Sequence, residues 1–228
     1  MHRDSVATEQ AIRPGEVNWM IAGCGITHSE RFEKARVQGD HVNGIQAWVA
    51  LPKAHEETDP TFAHHSGFDL PVWSDGGVKG RLIAGTAYGM TAGVRTHSPF
   101  YVHLDMADRA HASLPDGHSE RAIYVTSGTL ECEGQRFDAG TMLIAGLGPR
   151  NFTAAGSATM MLLGGEPLGE RFLYWNFVSS SSERIEQAKA DWQAGRMKLP
   201  DFDHDEFIPL PEEAVGALSN LSQGDRNP

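Results

Sequence analysis

Residues 12–31 read IRPGEVNWMIAGCGITHSER. Pro14-Gly15 is a turn signal, residues 17–22 form a short apolar run, Gly23-Cys24-Gly25 interrupts it, and the chain resumes toward Arg31. A helix would need roughly 10–12 residues of unbroken periodicity, and these glycines leave only five or six at a time, so the stretch reads as strand, turn, strand. The same grammar recurs at 45–51, 81–87, 122–125, 141–145 and 159–163, with turn signals at 74–77 and at Ser127-Gly128. An all-β sandwich or barrel follows. Ala139-Gly140, the run 141–145 and Gly146 echo Pro14-Gly15, 17–22 and Gly23, which predicts two related β units.

Composition supports this reading. Of 228 residues 40% are hydrophobic and 21% charged, a globular balance, and 25 glycines with 12 prolines favour turns over long helices. Nineteen basic against 30 acidic residues give a net charge of −11, which disfavours nucleic acid and anionic membrane surfaces as partners. Seven of the acids, against Arg226 alone, lie beyond Pro200, so the body is only mildly acidic. No run approaches the roughly 18 apolar residues of a membrane span, and the polar start lacks a signal peptide, so the expected location is cytoplasmic. Cys24 and Cys132 read as isolated, reduced, buried small hydrophobes.

One helix is predicted at about 181–195, with Ser180 and Glu183 as a capping box, Ile185, Ala188 and Trp192 on one face, and Gly195 as the stop. Residues 51–72, rich in proline and histidine, read as a connector. The tail 201–228 reads as loosely attached, with Phe202 and Phe207 its only aromatic anchors.

Chemistry concentrates at His28-Ser29-Glu30-Arg31. In an extended strand His28 and Glu30 project from one face, opposite Thr27 and Ser29, and present an imidazole and a carboxylate to one space. That is half of a mixed nitrogen and oxygen metal site; an ordinary exposed His–Glu pair has the same spacing. The tetrapeptide recurs at His118-Ser119-Glu120-Arg121. His64 and His65 should point to opposite sides, and His41, His55, His97, His103, His111 and His204 have no partner at ligand spacing. Phosphate loops, nucleophile elbows and paired-cysteine zinc signatures are missing. The five tryptophans, at 19, 48, 73, 175 and 192, read as core or cavity lining.

The stretches HRDS (2–5), IRPGEVNWMIAGCGITHSER (12–31), GIQAWVALP (44–52) and GGEPLGERFLYWNFVSSS (164–181) resemble the pirin family of the cupin superfamily. The resemblance implies an all-β bicupin, two antiparallel β-barrel or jelly-roll domains with a C-terminal helix. It divides the chain into the remainder of an N-terminal, metal-type cupin (1–62), a connector with leading strands (63–95), a ligand-less C-terminal cupin (96–168), a segment carrying the helix (169–200) and the acidic tail. It further implies one divalent metal, iron by family habit, held by three histidines and a glutamate, with His28 and Glu30 as two of the ligands. The implied activity is quercetin 2,3-dioxygenase-type oxidation of a small flavonol-like substrate, with Trp19 and Met20 as apolar wall and Glu30 also as proton acceptor. The alternative is a non-catalytic, redox-sensing cofactor of a protein partner.

The sequence departs from that family at one place. The H-x-H element that supplies the other two ligands precedes HRDS in pirins, and no H-x-H occurs in these 228 residues. At the matching place in the second half stand Leu114 and Asp116. The expectation is therefore an incomplete first barrel, from a fragment or a metal-free remnant, with impaired activity.

Overall fold

A computed structural model of the chain describes residues 1–94, 99–148 and 150–211. In the first part, β1 (His2–Asp4), β2 (Glu9–Gln10) and β4 (His28–Glu30) form an antiparallel sheet in the order β2-β1-β4, and β3 (Val17–Ile21) pairs with β5 (Thr61–His65). The turn between β3 and β4 depends on Gly23, whose φ is +52° and where a Cβ would lie 1.9 Å from the Thr58 carbonyl oxygen. Only a residue without a side chain fits both demands. A six-residue helix, α1 (Glu33–Gln38), follows β4.

The second part is a two-layer β structure. One layer has six strands in the order β15-β12-β17-β10-β7-β6, drawn from β6 (Val72–Asp75), β7 (Val78–Ala84), β10 (Phe100–Met106), β12 (Glu120–Ser127), β15 (Met142–Ala145) and β17 (Ala158–Gly165). The other has four, β11-β16-β13-β14, from β11 (His111–Ser113), β13 (Thr129–Cys132), β14 (Gln135–Asp138) and β16 (Asn151–Ala154). A small hairpin of β8 (Thr86–Ala87) and β9 (Met90–Thr91) stands beside them. Alternation is strict on β10, where Phe100, Val102, Leu104 and Met106 are buried in turn, and these pack with Leu82, Ile123, Leu130, Phe152, Met160 and Leu162 in one core cluster. A last hairpin, β18 (Phe172–Tyr174) with β19 (Phe177–Ser179), leads into α2 (Ser182–Gln193).

Several expectations are corrected. Residues 45–51 form no strand: Ile45, Trp48 and Val49 are exposed, because a strand needs a hydrogen-bonding neighbour and no described strand pairs with this run. The supposed connector contains β5, which completes a ladder with β3, and a 3-10 turn at Lys53–His55. α2 is capped one residue later than predicted: the Ser181 hydroxyl accepts from the Arg184 N–H at 3.2 Å, while Ser180 is occupied with Glu56. Ile185 and Ala188 are buried as predicted, and Gly195 turns the chain with φ +65°. Cys24 is exposed because it sits at the tip of the Gly23–Gly25 turn; Cys132 is buried.

The tail is held as far as it is described. Trp192 donates to the Ile208 carbonyl at 3.0 Å and meets Phe207 edge-on, the Tyr174 hydroxyl donates to Pro211 O, and Arg31 grips Asp203 and Glu206. Residues 212–228, and His97, lie outside the described residues. Among the described residues no helix is long and apolar enough to cross a membrane.

Candidate functional site

β4 carries the candidate pair. Its residues alternate exposed, half-buried, exposed, so His28 and Glu30 share one side and Ser29 takes the other, as the spacing predicts. β1 fixes the strand from its flank, with His2 opposite Glu30, Arg3 opposite Ser29 and Asp4 opposite His28. The His2 ring stacks between Phe62, at 4.6 Å, and His28, at 5.5 Å. Both surroundings depress the His28 imidazole: burial of part of the ring is the larger cause, repulsion from His2 the next, and Glu30 opposes them only in part.

His2 and Asp4 form a buried pair, Nε2 to Oδ2 at 3.1 Å. The Asp4 carboxylate also accepts from the N–H groups of Val6 and Thr8, at 3.0 and 2.9 Å. Burial opposes the Asp4 charge, yet the hydrogen bonds from Thr8, His2 and Val6 outweigh it and hold the carboxyl below its ordinary value. His2 is thereby committed to Asp4. Sequence reasoning passed over this pair; the signal was the His-x-Asp spacing within HRDS, which an extended strand places on one face.

The C-terminal segment straps the loop that leads into β4. Arg31 donates through Nε and Nη2 to the two oxygens of Asp203, at 2.6 and 2.7 Å, and through Nη1 to Glu206 at 2.6 Å. Arg184 reaches the Cys24 carbonyl at 2.8 Å, and the Thr27 hydroxyl donates to the Lys198 carbonyl. Trp19 and Met20 lie on β3, half-buried, opposite Ala63 and Phe62. His64 bonds Asn18 at 2.8 Å and His111 bonds Thr153 at 2.8 Å.

One imidazole and one carboxylate are the donor types a first-row divalent ion takes, so the pair fits in kind. It does not fit in number. Among the described residues no group of three or more His, Cys, Asp or Glu side chains is placed to hold a metal ion.

In the second half the HSER copy is used differently. The Ser119 hydroxyl and N–H donate to Glu166 of the GEPL element, at 2.6 and 3.1 Å. Arg121 is buried and donates to the carbonyls of Pro115, Gly146 and Gly148. Leu114 is buried and Asp116 exposed.

Two antiparallel layers around one apolar core, preceded by smaller antiparallel sheets, define an all-β protein of the cupin class. A crystal structure of quercetin 2,3-dioxygenase from Acinetobacter baumannii superposes with a TM-score of 0.79 at 25% identity, over 95% of this chain and 73% of that one. The profile described as Pirin matches residues 1–49, and that of the pirin C-terminal cupin domain matches 101–198. A pirin-like protein of Caulobacter vibrioides is 55% identical over 214 residues, 92% of this chain and 74% of the relative. A Pseudomonas aeruginosa protein named "Putative quercetin 2,3-dioxygenase PA1205" is 35% identical over 209 residues, 89% of this chain and 64% of that relative, so the chain spans somewhat under two thirds of its length. The chain belongs to the pirin family.

Proposed function

We propose that this chain is the greater part of a metal-dependent dioxygenase of the quercetin 2,3-dioxygenase type, acting on a small flavonol-like substrate. The observation that carries the reading is the shared exposed face of His28 and Glu30 on β4. The names borne by the Pseudomonas relative and the Acinetobacter structure support the substrate class. In this reading His28 and Glu30 are two donors to one divalent ion, iron by family habit, and the other two come from an H-x-H element that the 228 residues lack.

With two donors of four, the described residues support no metal-borne step. What they would contribute in this reading is a proton acceptor for a substrate hydroxyl, the Glu30 carboxylate, and an apolar wall from Trp19 and Met20. The 228-residue chain by itself should bind iron weakly and turn over little.

Iron(II) titration and oxygen uptake with quercetin test this. Weak binding by the parent should be lost in His28→Ala and Glu30→Gln, and both binding and uptake should rise when a pirin leader bearing H-x-H is placed before Met1. Equal binding by parent and His28→Ala, or an iron-loaded extended protein that consumes no oxygen with quercetin, overturns the enzyme reading. A non-catalytic binding role would then replace it.

A further inference from the structure

A cavity of about 560 Å³ opens in the second half, within the size range of small-molecule sites, and no residue of β1 to β5 lines it. Its walls come from β8 and the turn after it (85–89), from Pro99, from residues 113–116 and from His118. Three features set it apart from an ordinary surface dent.

The first is Tyr88. At the tip of the hairpin it adopts φ +53°, a left-handed conformation that a bulky residue rarely takes and that glycine or asparagine takes readily. The strain does not serve the core, since the ring remains partly exposed. It is held instead by Trp73, centroids 5.2 Å apart, and by a hydrogen bond from its hydroxyl to the Ser113 carbonyl at 2.6 Å. The hairpin is thereby tied to the 113–116 loop, and a fixed aromatic ring lines the cavity. Backbone strain of this kind concentrates at ligand sites.

The second is His118. Its ring lies against Phe100 at 4.9 Å, its Nδ1 has no hydrogen-bond partner among the described residues, and the Glu166 carboxylate is its charged neighbour. Nδ1 is sealed from solvent. A sealed nitrogen costs least when bare, which puts the proton on Nε2 and leaves that N–H as the group available to the cavity that His118 lines. The third is Asp116, largely exposed, whose contact is a 3.4 Å approach to Arg121. It offers acceptor oxygens and repels anions.

An N–H donor, a carboxylate acceptor and an aromatic wall between Leu114 and Pro99 together describe one class of guest. We infer that this cavity is a second small-molecule site, for an uncharged hydroxylated aromatic ring that stacks on Tyr88, accepts from His118 and donates to Asp116. The inference does not depend on the reading of His28 and Glu30.

Catechol is the probe, with benzoate as the anionic control and trans-1,2-cyclohexanediol as the non-aromatic one, each added to the full chain and followed by ligand-observed saturation-transfer NMR. Catechol should bind with a dissociation constant on the order of 1 mM and the controls should not. Affinity should fall about tenfold in His118→Phe, one lost hydrogen bond, and vanish in Thr86→Trp, which fills the cavity from an exposed position. His28→Ala should bind as the parent does. No catechol binding by roughly 10 mM, equal binding of either control, or binding retained in a folded His118→Phe protein overturns the site. So does loss of binding in His28→Ala. Melting curves establish folding, and either cavity variant alone suffices for the comparison.

Discussion

The two HSER copies are identical in sequence and opposite in use. At the first, His28 and Glu30 share the exposed side of a strand and Arg31 reaches outward to two carboxylates of the tail. At the second, His118 precedes its strand, Ser119 is taken by Glu166, and Arg121 turns inward to three backbone carbonyls. A four-residue match fixes residue types but not whether they fall inside a strand, and only the strand makes residues two apart point together. Chain order sharpens the contrast. As β3 passes through Gly23 and Gly25 into β4, so β15 passes through Gly146 and Gly148 into β16, whose residues are Asn151, Phe152, Thr153 and Ala154. The strand that follows the echoed glycines thus carries neither imidazole nor carboxylate.

The largest break in this comparison should come from the arginines. Arg121→Met removes a buried guanidinium and strands the carbonyls of Pro115, Gly146 and Gly148, at a cost of roughly 3 kcal/mol or more. Arg31→Met severs contacts near solvent, and its effect should be a small fraction of that. Urea midpoints of the two variants measure the difference directly. Raising the salt concentration should narrow the gap between Arg31→Met and the parent while leaving Arg121→Met where it is. Equal midpoints would mean that the inward arginine is no pin.

A smaller effect is expected at the serine of the second copy. Glu166→Ala removes both contacts, whereas Ser119→Ala removes only that of the hydroxyl and keeps the N–H donor, so the double variant should be hardly less stable than Glu166→Ala alone. Iron binding at His28 should not respond to any of the three. Additive losses would show that Ser119 and Glu166 act separately.

Much of this was legible before any coordinates. The glycine-punctuated apolar runs announced strands because each survives as one where a neighbour pairs with it, as 122–125 does within β12. Residues 45–51 look the same in sequence and remain irregular, because pairing is a property of the partner and not of the run. The shared face of His28 and Glu30 followed from spacing alone. The cap of α2 was displaced by one residue because Glu56, 124 positions away, takes Ser180, and no local reading finds a contact at that separation. The grip on the tail by Arg31 and Trp192, and the cavity beneath Tyr88, are likewise long-range facts. The one local hint at the cavity was an aromatic residue before Gly89 in a short hairpin, where the turn favours residues that accept positive φ.

The finest distinction between the copies is a response to acid. Arg31 hydrogen-bonds Asp203 and lowers its carboxyl to about 2, from an ordinary 3.8. Between those values the unfolded or released tail binds a proton that the docked tail does not. The contribution of this pair is therefore complete above the ordinary value and is lost as the pH falls toward about 2. Trp192, in contact with Phe207 and bonded to Ile208, reports release of the segment by fluorescence. Acidification of the parent should release it late, and Arg31→Met should release it earlier, near the ordinary carboxylate range. At the second copy the arginine itself offers no such step, because the backbone carbonyls held by Arg121 do not titrate; the acid-sensitive group there is Glu166, whose carboxyl the Ser119 hydrogen bonds hold below its ordinary value. An acid transition that Arg31→Met leaves unmoved would show that Asp203 is docked by something other than this arginine, and the contrast between an outward, pH-sensitive clasp and an inward, pH-insensitive pin would fall with it.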